Sequence, residues 1–90
     1  MVLVLPADLT RAEAPGCLRM LVQGLRTEAE TTVVVDAGAL GRFDSSALAV
    51  LLEFRREGQV KGKEIRVRSM PALLHDLASL YGIAELLPAG

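Results

Sequence analysis

Tryptophan is absent, tyrosine occurs once and phenylalanine twice, so aromatic residues make up only 3% of the 90-residue chain. A core of this composition is aliphatic, built from Leu, Val, Ile and Ala, and no stack of aromatic rings is available for nucleic-acid bases to lie on. Cys17 is the single cysteine, which excludes an internal disulfide and a CxxC zinc or redox site. In its helix-like surroundings it reads as a small buried hydrophobe. Neither charge sign dominates: ten basic and eleven acidic residues give a net charge of -1. General electrostatic capture of nucleic acid or of an anionic membrane is therefore excluded. No apolar run approaches the ~18 residues of a membrane span. The opening MVLVLPADLTR lacks the basic start and long apolar stretch of a secretory leader. The expectation is a cytoplasmic protein with no direct membrane insertion and no nucleic-acid partner.

What is present is hydrophobic material in short periodic pieces. The chain is 51% hydrophobic with a mean hydropathy of +0.37, and its length suits one domain over 1–90 with a thin stability margin. Residues 2–5 read as a strand ending at Pro6. Asp8 or Thr10 is placed to cap a following helix that takes Pro15 in its first turn. Leu18, Leu21, Val22 and Leu25 give that helix an apolar face, weakened by Gly16 and Gly24. TTVVVDAG is a β-branched run that reads as a buried strand ending at Asp36 and Gly38, with ALGRF as a connection. A second helix follows and stops at Gly58, with Arg55 and Arg56 in its last turn. KGKEIRVRS alternates, so Ile65 and Val67 share a strand face, and its charges read as solvated. A last helix runs from Pro71 to Tyr81 with Leu73, Leu74, Leu77 and Leu80 as its stripe, ends at Gly82, and leaves IAELLP as a tail. Strand and helix alternate three times, which predicts an α/β fold: a small, mostly parallel sheet with helices packed on it.

The second helix opens on Asp44, Ser45 and Ser46. At ~100° per residue, Ala47, Leu48, Val50, Leu51, Leu52 and Phe54 share the core side, and Ser45, Ser46, Ala49, Glu53, Arg56 and Glu57 the other. Asp44 is a good N-cap, and the free N–H groups at a helix start favour a phosphate there. The exposed small side chains form a shelf that another protein can approach. Asp36 and the 44–46 loop are both expected beyond the C-terminal strand ends, where open α/β sheets gather ligands and partners. Chemistry is poorly represented elsewhere. GALG lacks the lysine and spacing of a phosphate loop, and there is no GxGxxG. His75, the one histidine, has no second His or Cys to share a metal with. A Ser46–His75–Asp36 triad can be composed on paper, but no spacing supports it. Asp36 as a receiver-type phospho-acceptor lacks the acidic cluster that site needs. No cofactor, metal or catalytic residue is implied.

The stretch FDSSALAVLLEFRREGQVKGKEIRVRSMPALLHDLASLYGIAELLP resembles the STAS domain of sulfate transporters and anti-sigma-factor antagonists. That family is marked by an Asp-Ser-Ser/Thr-Gly-Leu loop opening a helix after a short apolar strand, matched here by TTVVVDAGALGRFDSSAL. A later strand and a last helix with a glycine-containing turn are matched by KEIRVRS and LASLYGIAELLP. The C-terminal phrase is most similar to the MlaB-type members. The resemblance implies a non-enzymatic accessory subunit that binds and supports the ATPase subunit of an ABC-type phospholipid transporter serving outer-membrane lipid asymmetry, and so lies peripheral to the inner membrane through its partner. It implies partner binding through Asp44, Ser45, Ser46, Ala49, Glu53 and Arg56, with Ser45 as the important hydroxyl. Anti-sigma-factor antagonists instead carry a regulatory phosphoserine at the position of Ser46 and meet an anti-sigma factor or serine kinase. Both Ser46 and Ser45 thus stand as phosphorylation candidates. Ala47 departs from the family glycine, and the extra N-terminal strand of many antagonists is not seen before residue 2.

Overall fold

The computed structural model describes residues 2–90. In chain order the elements are β1 (Val2–Val4), β2 (Asp8–Leu9), α1 (Ala14–Arg26), β3 (Thr32–Asp36), β4 (Arg42–Phe43), α2 (Ser46–Val60), β5 (Glu64–Arg68), α3 (Ala72–Leu80) and a 3-10 turn over Ala84–Leu86. The main sheet has order β1-β3-β5, and both of its pairings are parallel. Each step from strand to neighbouring strand crosses through a helix, as the alternating sequence pattern requires. Period-two alternation sends Leu5, Val33, Val35, Ile65 and Val67 into the core. Val2, Val4, Val34, Asp36, Arg66 and Arg68 fall on the opposite, partly exposed face.

A feature unread in the sequence lies at the end of this sheet. Asp8–Leu9 and Arg42–Phe43 form a second, two-stranded parallel sheet. The segment ALGRF is therefore more than a connection: Gly41 and Arg42 donate their N–H groups to the Ala7 carbonyl at 2.8 and 3.0 Å. Asp8 is a strand residue beside Arg42, 3.7 Å away, and caps nothing. Thr10 opens the turn that leads into α1: its N–H and hydroxyl donate to Glu13 Oε1 at 2.8 and 2.7 Å, and Glu13 and Ala14 donate their N–H groups to its carbonyl at 3.1 Å, with α1 itself starting at Ala14.

Two glycine assignments change. Gly58 does not stop α2, which runs on to Val60. The stop is Gly62 at φ +71°, with Lys63 N–H donating to Gly58 O at 2.8 Å and Gly62 N–H to Gln59 O at 3.0 Å. That is a Schellman termination, which needs the left-handed residue that glycine supplies without strain. Arg55 and Arg56 consequently sit before the last turn, which holds no basic residue. Helix α3 ends the same way at Gly82, φ +72°, as the sequence suggests.

The core gathers Leu21 and Leu25 of α1, Leu48, Leu51 and Phe54 of α2, and Leu74 and Ala78 of α3 around the sheet. Phe54, the one buried aromatic, is the largest fully buried side chain. Cys17 is buried as expected, and burial raises its thiol pKa. The expected stripe of α3 is half right. Leu74 is buried and Leu77 partly so, whereas Leu73 and Leu80 are 72% and 77% exposed. Periodicity marks one face, but only about half of that face finds an element to cover it. The C-terminal tail has a definite role: Val67 N–H donates to Pro88 O and Gly90 N–H to Val67 O, covering the outer edge of β5. Lys63 is likewise tied down, its Nζ donating to the Glu28 and Glu30 carbonyls at 2.7 Å.

Candidate partner-docking face

Asp44 organises the start of α2. Its Oδ1 accepts the Ser46 N–H at 2.8 Å, and its Oδ2 accepts the Arg11 N–H at 3.2 Å. Ser45 already has helical dihedrals, and its carbonyl accepts from Leu48 and Ala49. Asp44 is therefore the functional N-cap, with its side chain on the second N–H of the helix. The same carboxylate fastens the loop before α1 to the start of α2. The Ser46 N–H above all, with Arg11 adding to it, holds the Asp44 carboxyl below its ordinary pKa.

The helical-face reading of α2 agrees with the fold. Ala47, Leu48, Val50, Leu51 and Phe54 are buried, Ser45, Ala49 and Arg56 are exposed, and Ser46, Glu53 and Glu57 are half-buried. The shelf is not a surface of α2 alone. Ala49, Val50 and Glu53 form one wall of a shallow trough of about 430 Å³ whose other wall is Ala14, Pro15 and Leu18 of α1. A second depression of about 330 Å³ continues along α1 past Leu18, Val22 and Arg26. The α1 wall has no signal in the sequence, because Leu18 and Val22 share one apolar face with Leu21 and Leu25 and spacing does not say which of them the core covers. Leu18 and Val22 lie at its edge, half-buried, and only the packing of α1 against α2 turns that edge into a groove.

Asp36 forms a separate constellation. Its Oδ1 accepts the Gly38 N–H at 2.8 Å and its Oδ2 meets Arg68 Nη2 at 3.2 Å. Those partners, the Gly38 N–H first, lower its pKa. No hydrogen bond or ion pair links Asp36 to Asp44, Ser46 or His75. His75 is exposed on α3. The paper triad is thus not assembled, and among the described residues no group of three His, Cys, Asp or Glu is placed to hold a metal.

A shallow trough between α1 and α2, on the helix that Asp44 caps, suits binding another macromolecule. A family model described as "Mlab, STAS domain" matches residues 1–88. The chain is a STAS domain. A solved structure with the same architecture is an anti-sigma-factor antagonist (STAS) domain protein from Planctomyces limnophilus. It aligns at TM-score 0.81 and 16% identity over 98% of this chain and 79% of the other. No curated protein matches. STAS domains are in general regulatory or accessory modules without catalytic chemistry. The STAS helix opening here carries Ala47 where the family has glycine. Its methyl group is fully buried and points into the core, so it leaves the docking face unobstructed. Among the described residues of this STAS domain no helix is long and apolar enough to cross a membrane.

Proposed function

We propose that this STAS domain is a non-enzymatic accessory subunit that binds and supports the ATPase of an ABC-type phospholipid transporter. It would act on the cytoplasmic side, peripheral to the inner membrane through that partner. The observation that carries the reading is the match to the MlaB-type family model over residues 1–88. The trough that Ala49 and Glu53 line, one helical turn beyond Ser45, supports it physically, because the small side chain of Ala49 lets a partner backbone come close. Exposed Ser45 contacts the ATPase, with Ser46, Ala49, Glu53 and Arg56 around it. The test is affinity purification of the tagged chain from its native host, followed by mass spectrometry. An ABC ATPase and permease should co-purify, and Ser45→Arg should lose them while keeping the wild-type thermal melt. Full retention by Ser45→Arg would refute the assigned face.

A second reading, an anti-sigma-factor antagonist switched by phosphorylation of Ser46, draws on the name of the Planctomyces limnophilus structure. Local geometry favours it less. Ser46 is half-buried, and a phosphate there would lie beside the Asp44 carboxylate that binds its N–H. Co-purification of an anti-sigma factor or serine kinase, with a single added phosphate by intact mass that Ser46→Ala removes, would establish it instead.

A further inference from the structure

We propose that the exposed ridge of α3 docks on the α1 side of the trough of a second copy of this chain, along the depression lined by Leu18, Arg19, Val22 and Arg26, so that the protein self-associates head to tail. The ridge comes first. At ~100° per residue, Leu73, Leu77 and Leu80 fall within an arc of ~60°, with Asp76 beside Leu80 on its solvent side. Leu73 and Leu80 are 72% and 77% exposed, the most exposed leucines among the described residues. Nothing within the fold covers them.

Charge identifies the occupant. From Ser69 to Gly90 the chain carries Asp76 and Glu85 but no lysine or arginine. Helix α1 is the reverse: it carries Arg19 and Arg26 and no acid. On α1 the half-exposed Leu18 and Val22 stand beside these arginines, which line the depression with them. Among the described residues neither arginine, nor Asp76, makes an ion pair or side-chain hydrogen bond. A leucine ridge edged by an acid therefore suits the half-exposed Leu18 and Val22 strip of α1, whose depression is lined by two arginines. Glu53 on the opposite wall repels Asp76 and so sets which way round the ridge lies.

The symmetric alternative is disfavoured by the same residues. Packing α3 on α3 about a two-fold axis brings each Asp76 close to its own copy, with no base on that element to offset it. Ridge into trough is a heterologous contact, and it leaves one free ridge and one free trough at the ends of every assembly. The proposal needs no transporter partner. It does predict that a partner seated in the trough competes with self-association.

Sedimentation equilibrium of the full chain, from micromolar to near-millimolar, tests it. The weight-average mass should rise above 9.6 kDa with concentration and pass the two-chain mass without a plateau. Leu80→Ser should return it to monomer with an unchanged melt. Asp76→Arg alone, and Arg19→Glu with Arg26→Glu, should each weaken association at least about tenfold. Mixing those two variants should restore it, because each then offers what the other's surface requires. A monomer at every concentration overturns the proposal. So does a plateau at two chains, or a charge-swapped mixture that stays apart while the wild type associates.

Discussion

Gly58 of α2 lies so close under Ile65 of β5 that a Cβ built on it would stand 2.7 Å from Ile65 Cγ1 and 2.8 Å from Cδ1. The helix meets the strand it precedes at this point, and the absent side chain sets their separation. Gly58→Ala gains about 1 kcal/mol of helix propensity but forces the strand or the side chain to move, which costs about 1–3 kcal/mol. The expected net result is destabilisation of roughly 1 kcal/mol by urea denaturation. Ile65→Val removes Cδ1 and should recover part of it, giving a favourable coupling of about 0.5 kcal/mol in the double-mutant cycle. Additive effects would mean that the two residues do not constrain one another.

Gly62 provides the contrast. An added Cβ there meets nothing within 4 Å, so space is no obstacle, but its φ is +71°. Gly62→Ala should therefore cost about 1 kcal/mol through backbone strain alone, and Gly62→Asn less, because Asn tolerates the left-handed region. Equal losses from Ala and Asn in the same urea titration would point away from backbone strain.

These two glycines show where sequence reading stops. Both end polar stretches beside a helical pattern, and only the approach of Ile65 distinguishes a packing glycine from a terminating one. The six main elements were legible because Val33/Val35 and Ile65/Val67 alternate and Leu18/Leu21/Leu25 recur at helical spacing. The β2–β4 pair was not, since two residues per strand carry no period. Leu73 and Leu80 belong to the apolar stripe of α3 yet stay exposed, because periodicity reports a face and not its cover. At the proposed docking site the Asp44 cap and the exposed Ser45–Ala49 side follow from local rules. The α1 wall depends on how two helices pack and has no local signature.

Acid should weaken the fold through a small set of carboxylates. Asp36 and Asp44 are held below the ordinary 3.8, chiefly by the N–H groups of Gly38 and Ser46, and Glu13 and Glu28 are held below 4.5. The folded chain then binds protons less readily than the unfolded one. The stability these groups contribute is complete above the ordinary values and is lost as pH falls through the lowered ones. Melting temperature should be nearly flat from neutrality to about pH 5 and fall below it. Asp44→Ala should lower the neutral melt by a few degrees, and the gap from wild type should narrow as acid removes the charge of Asp44. A gap that stays constant across that range would deny Asp44 its part in the acid limb.

Neighbouring alanines on α2 separate folding from docking. Ala47 is fully buried and Ala49 is exposed at the trough, two residues apart on opposite sides of one helix. Ala47→Gly should cost roughly 1 kcal/mol in stability, through helix propensity and a lost buried methyl, yet leave the docking face unchanged. Ala49→Arg should leave stability within about 0.5 kcal/mol, because a solvent-facing helix position accepts a long side chain. It should also fill the trough between α1 and α2 and remove whatever binds there. Measured side by side, urea midpoint and partner retention should therefore move independently: the first falls in Ala47→Gly, the second in Ala49→Arg. Retention of partner by a stably folded Ala49→Arg chain would place the docking surface elsewhere on the domain.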